Sequence, residues 1–156
     1  MIRLRFVHCP SVIGDAILAY TGGRYSHVEA ITPDGKYLGA HADGGVLARE
    51  PNYDKGQWSR QLIVELSASD EMTASFYHYL DAVIGEPYSF AAIAHMLTHA
   101  DMMTHHRVIC SALQTLALRA CGWFPYQLAQ PAHTISPSVL LLMVAVTMQL
   151  PDEQTP

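Results

Sequence analysis

One histidine and one cysteine of this chain sit where local sequence favours thiol chemistry. His27 lies in Tyr25-Ser26-His27-Val28-Glu29-Ala30-Ile31, which reads as the start of a strand. Cys110 lies in Val108-Ile109-Cys110-Ser111-Ala112-Leu113, which reads as the first turn of a helix. A free cysteine has a pKa of about 8.5 and is mostly protonated at neutral pH. A helix N-terminus and a nearby imidazole both favour the thiolate. The thiolate attacks a carbonyl carbon, and the imidazolium then protonates the leaving group. A third polar group must hold the other ring nitrogen so that the correct edge faces the sulfur. Glu29 lies two residues from His27 and shares its strand face. His41 lies on the next predicted strand, where it would stand across from His27. The residues alone leave the choice between them open.

Hairpin strands and flanking helices must position these groups. Met1–Val7 alternates apolar and charged residues and is predicted as a strand. Ser11 caps a short helix through Tyr20, with Val12, Ile13, Ala16 and Ile17 on one face, and Gly22-Gly23 ends it. A hairpin follows: strand Ser26–Ile31, a turn at Thr32-Pro33-Asp34-Gly35-Lys36, and strand Tyr37–Ala42. Gly44-Gly45 interrupts the chain before a short strand, Val46–Arg49, and Gln61–Leu66 is the last strand. Ser69 opens a helix that runs to about Ile84, and Gly85 ends it. Ser89–His99 is predicted helical, Thr98–Arg107 a partly mobile loop, and Val108–Ala120 a helix punctuated by Gly122. Ile135-Ser136-Pro137-Ser138 begins a final helical turn. The apolar run Val139–Val146 reads as a buried core element, far short of the ~20 residues that span a bilayer. These elements predict an α+β fold, a small antiparallel sheet closing toward a barrel and packed on helices.

The composition sets outer bounds. The chain has 156 residues, half of them hydrophobic and only 15% charged, which describes one globular domain over 1–150 with a polar tail at 151–156. The net charge of −5 and the scattered basic residues exclude nucleic acid as a partner class. Three cysteines cannot all pair internally, and their spacing matches no disulfide framework or CxxC metal pair. Cys9 and Cys121 are read as structural thiols in a reducing compartment. The N-terminus carries no signal-peptide pattern, so the expected location is cytoplasmic, with phage association or release by a non-classical route as the alternative. His95, His99, His105 and His106 lack an HExxH pattern or a matched carboxylate and are read as surface or loop histidines, so no metal and no cofactor is implied.

Several segments, in order, carry a family resemblance. They are Thr21-Gly22-Gly23-Arg24-Tyr25-Ser26-His27-Val28, Gly39-Ala40-His41-Ala42-Asp43-Gly44-Gly45-Val46, Gly85-Glu86-Pro87-Tyr88-Ser89-Phe90, Cys110-Ser111-Ala112-Leu113 and Ile135-Ser136-Pro137-Ser138-Val139-Leu140. Together they resemble the circularly permuted branch of the NlpC-type papain-like cysteine hydrolases, which includes lecithin:retinol acyltransferase-like and YiiX-like proteins. In that branch the His precedes the Cys, as here. The resemblance implies a permuted papain-like fold, Cys110 as nucleophile, His27 as base and His41 as the orienting third residue. Many bacterial relatives carry Glu at the His41 position, and acyltransferase-like relatives carry His. Tyr88 matches a tyrosine of the family's pocket; Tyr25, Glu29 and Ser111 adjoin the catalytic pair and are assigned with it to substrate binding. The implied activity is cleavage of an amide bond, in a peptidoglycan-type or γ-glutamyl peptide. The alternatives are thioester or acyl transfer on lipid-like groups, and a non-catalytic binding domain. The expected partner is a peptide or acyl small molecule, with no stable membrane insertion and the oligomeric state left open.

Overall fold

The computed structural model describes residues 1–88 and 109–149. The predicted helix at Ser89–His99, the loop at Thr98–Arg107 with its histidines, and the tail at 151–156 lie outside the described residues.

The first strand, β1 (Ile2–His8), carries two faces of opposite character. Ile2, Leu4 and Phe6 enter the core, while Arg3 and Arg5 project the other way. Ser11 caps α1 (Val12–Thr21) through a hydrogen bond from the Gly14 N–H. The hairpin β2 (His27–Ile31) and β3 (Tyr37–His41) is joined by the expected turn, closed by Thr32 and Lys36 backbone pairing. The strands β4 (Gly45–Arg49) and β5 (Arg60–Leu66) complete the sheet.

The strand order is β4-β3-β2-β1-β5, and every neighbour is antiparallel. The sheet is open, with β4 and β5 as its two edges.

One sheet face packs on helices. Val28, Ala30, Leu38 and Ala40 from the hairpin meet Leu113, Ala117 and Leu118 of α3 (Cys110–Ala120). Phe76 and Leu80 of α2 (Asp70–Ala82), which Ser69 caps, fill the same core. Each large apolar side chain so buried contributes ~1.5–3 kcal/mol relative to exposure. Gln114, in the middle of α3, donates to the Leu38 carbonyl and fastens the helix to β3. Gly122 ends α3.

After a short 3-10 turn at Ala132–Thr134, the last helix among the described residues is α4 (Pro137–Gln149), longer than the single turn expected. Its apolar run is not buried all round. Leu140 and Val144 enter the core, but Val139, Leu142 and Val146 are exposed. A helix of period 3.6 packed on one side covers only one stripe of an apolar run.

The opposite sheet face is covered by the 50–59 loop between β4 and β5. Its Tyr53 and Asp54 fold over Arg5 and Glu29. A buried second face thus lies over the strand positions that carry charge.

Candidate thiol site

Cys110 is the first residue of α3, and its N-cap is Ile109. A Ser or Asp cap would consume one of the free N–H groups of the first turn. Ile109 makes no side-chain cap bond, so it consumes none of those donors. The Ser111 N–H, and the Val28 N–H from β2, both hydrogen-bond the Cys110 sulfur. His27 stands at the start of β2, opposite Val7 of β1, where the ladder begins. From that end of the strand its ring lies beside the sulfur, close enough for each charge to shift the titration of the other.

The loop before His27 is held from the far end of the chain. Ser138 at the start of α4 accepts from the Arg24 N–H and reaches the Tyr25 carbonyl. A Cβ on Gly23 would collide with the Ser138 side chain, so this approach requires glycine. The Gly-Gly-Arg-Tyr-Ser-His and Ser-Pro-Ser segments are therefore in direct contact.

The electrostatics favour an ion pair. Burial disfavours a Cys110 thiolate, but the His27 charge and hydrogen bond and the two backbone donors outweigh it, and the thiol titrates below its ordinary value. Burial likewise works against a charged His27, yet Cys110 first and Glu29 second hold it well above the usual histidine range. Both shifts run toward a thiolate facing an imidazolium.

Glu29, not His41, is the group beside His27 Nε2. Its Oε2 lies 3.4 Å from that nitrogen, an ion-pair contact without hydrogen-bond alignment. His41 stands across the hairpin as expected, with ring centroids 5.1 Å apart. Its Nε2, however, points at the same Glu29 oxygen from 3.7 Å. The carboxylate is interposed between the rings because Gly39 gives it space: a Cβ there would lie 2.9 Å from the Glu29 Cβ. His41 is also the wrong charge for partnering an imidazolium. Burial first, then the His27 charge, pushes its pKa down to about 4, so it is neutral.

Glu29 is in turn fixed by residues that the sequence reading did not select. Arg5, its direct cross-strand neighbour, donates to Oε1, and the Tyr53 hydroxyl donates to Oε2 at 3.1 Å. Arg5 continues to Asp54 at 2.8 Å and to Gln61 at 2.7 Å, and its guanidinium stacks 4.4 Å over the Tyr37 ring. Arg5 and Glu29 are 1% and 0% exposed. Burial alone would raise the Glu29 pKa; His27 and then Arg5 overcome it and hold the carboxyl below its usual range. The available signal was an arginine between Leu4 and Phe6, on a central strand with partners on both sides.

The remaining assigned residues fall in different places. Glu29 and Ser111 are buried, as is Cys110 itself, and Ser111 serves the site through its backbone N–H. Tyr25 is half-buried with its ring 6.1 Å from that of Phe6. Tyr88 packs against Ile109, Ala112 and Ala132 beside the cysteine, and burial and then the Cys110 charge push its phenol up. Cys9 and Cys121 are free thiols, and burial raises both. No helix among the described residues is long and apolar enough to cross a membrane.

No family model matches the sequence, and no curated protein matches it. Among solved structures, the crystal structure of the metalloprotein YiiX from Escherichia coli O157:H7 is similar, with a TM-score of 0.59 at 19% sequence identity. The match covers 78% of this chain and 66% of that one, so this chain spans slightly under two thirds of the neighbour's length. The likeness is one of fold: α+β, with a small antiparallel sheet packed on helices.

Proposed function

We propose that this protein is a thiol-dependent hydrolase of the circularly permuted NlpC-type papain-like kind, acting on an amide bond in a peptide-like substrate. The observation that carries the reading is the juxtaposition of Cys110, first residue of α3, with the His27 imidazole, each charge stabilising the other. Cys110 is the nucleophile. Its thiolate attacks the carbonyl carbon, and the resulting tetrahedral intermediate collapses to a thioester as His27 gives its proton to the departing amine. Neutral His27 then takes a proton from water, which attacks the thioester and releases the acid and the thiolate. Glu29 orients the ring and stabilises its charge, leaving Nδ1 to face the sulfur while Nε2 faces the carboxylate. His41 packs behind Glu29 and is a positioning residue.

The acyl-transfer reading passes through the same thioester, with an acyl ester in place of the amide. Exposed Val139, Leu142 and Val146 on α4 are the observation on its side, as an apolar surface for a lipid-like chain. A cytoplasmic peptide or acyl small molecule is the proposed substrate pool. The test is labelling with an electrophilic thiol probe, followed by turnover of paired γ-glutamyl amides and acyl thioesters by wild type and Cys110→Ala. The proposal expects Cys110-dependent labelling and amide cleavage. Turnover of acyl substrates alone transfers the assignment to the second reading. No Cys110-dependent labelling or turnover refutes both and leaves a binding domain.

A further inference from the structure

His27, Glu29 and His41 present donor atoms that all lie within 4.8 Å of one another. Both histidine Nε2 atoms are buried and make no hydrogen bond among the described residues, and both are aimed at the same Glu29 oxygen, from 3.4 and 3.7 Å. Buried polar atoms are nearly always satisfied, and exceptions in a shared location point to an ion or a water. The two nitrogen–oxygen spacings, 3.4 and 3.7 Å, suit a shared ion. Metal–ligand bonds of about 2.1 Å at tetrahedral angles put neighbouring donors about 3.4 Å apart. Two imidazoles and one carboxylate also form the donor set of many first-row transition-metal sites.

We infer that His27, Glu29 and His41 form a binding site for a single divalent first-row transition ion, seated between the two hairpin strands. The surrounding contacts suit the role. Arg5 and Tyr53 fix the carboxylate from behind, as outer partners of metal ligands do. His41 is held by the Tyr53 ring at 5.4 Å and edge-on. The charges balance as well: Asp54 offsets Arg5, leaving the Glu29 carboxylate to face the ion. The site occupies the His27 ring edge away from Cys110, so metal binding competes with the Glu29–His27 contact and not with the sulfur. The inference stands on these three residues and holds whether or not Cys110 is a nucleophile.

The experiment is equilibrium binding of Zn²⁺ to the metal-stripped full chain by calorimetry, with Co²⁺ absorption as a report on ligand type. One equivalent should bind wild type and Cys110→Ala alike, and bound Co²⁺ should show no thiolate charge-transfer band. His41→Gln should weaken binding more than about tenfold, the lower end of the loss when only an outer partner of a ligand is removed. Tyr53→Phe, which keeps the ring and removes the hydrogen bond to Glu29, should weaken it about tenfold and serves if His41→Gln does not fold. His105→Ala and His106→Ala should leave it unchanged. Absence of saturable binding, retention in folded His41→Gln, abolition by Cys110→Ala, or loss in the His105 or His106 variants would each overturn the assignment.

Discussion

Replacing Glu29 by glutamine keeps the size of the side chain and removes its charge. The carboxylate lies 3.4 Å from His27 Nε2. Coulomb's law at that separation gives about 1.2 kcal/mol in bulk water and about 5 kcal/mol at an effective dielectric near 20. His27 retains 17% side-chain exposure and Glu29 none, so the interaction lies between those bounds. Since about 1.4 kcal/mol is tenfold, the thiolate–imidazolium pair should become about tenfold to a thousandfold less favourable relative to its neutral form. The direction follows from the charges: His27 loses its stabilising anion and titrates lower, and Cys110, which depends on the His27 charge, titrates higher. Iodoacetamide labelling of Cys110 near neutral pH should therefore slow, and its acid limb should move to higher pH. Labelling is read by peptide mass spectrometry, with buried Cys121 as an internal reporter of unfolding. His41→Ala should slow labelling less, because His41 faces Glu29 and not the His27 nitrogen. A folded Glu29→Gln protein whose Cys110 labels at the wild-type rate, while His27→Ala slows it, would refute the argument.

Three further outcomes are expected. Arg5→Met strands the Glu29 and Asp54 carboxylates in the interior and should cost about 3–5 kcal/mol in urea unfolding. Arg3→Met breaks only an exposed pair with Glu65 and should cost at most about 1 kcal/mol; equal losses would contradict the burial argument. Neutral His41, with its folded pKa down at about 4, binds a proton more readily when unfolded, so its contribution is complete above about pH 6.5 and is lost as pH falls toward 4. That loss is about 3 kcal/mol, and His41→Gln should flatten the corresponding slope of stability against pH; an unchanged slope places the titration elsewhere. Gly39→Ala inserts a methyl 2.9 Å from the Glu29 Cβ and should destabilise by about 1–3 kcal/mol while slowing Cys110 labelling, whereas a neutral result would show that the hairpin absorbs the methyl without moving the carboxylate.

Local chemistry determined much of this protein from sequence alone. Ser11 and Ser69 cap their helices, Pro33-Asp34-Gly35 turns its hairpin, and alternation marks β1, because each of these is decided within a few residues. The strand start at His27 and the helix start at Cys110 were legible for the same reason, because both are local features. The partner of His27 was not local. His41 and Glu29 both satisfy the spacing, and the choice turns on the room left by Gly39 and on the anchoring of Glu29 by Arg5. Arg5, Tyr53 and Asp54 come from another strand and a loop, and alternation alone reads the Arg5 face as solvated until the 50–59 loop covers it. The apolar run of α4 fails in the opposite sense, since a run of hydrophobic residues looks the same whether one side or every side is covered. Burial of a charge is a property of what packs over it, and only the tertiary structure supplies that.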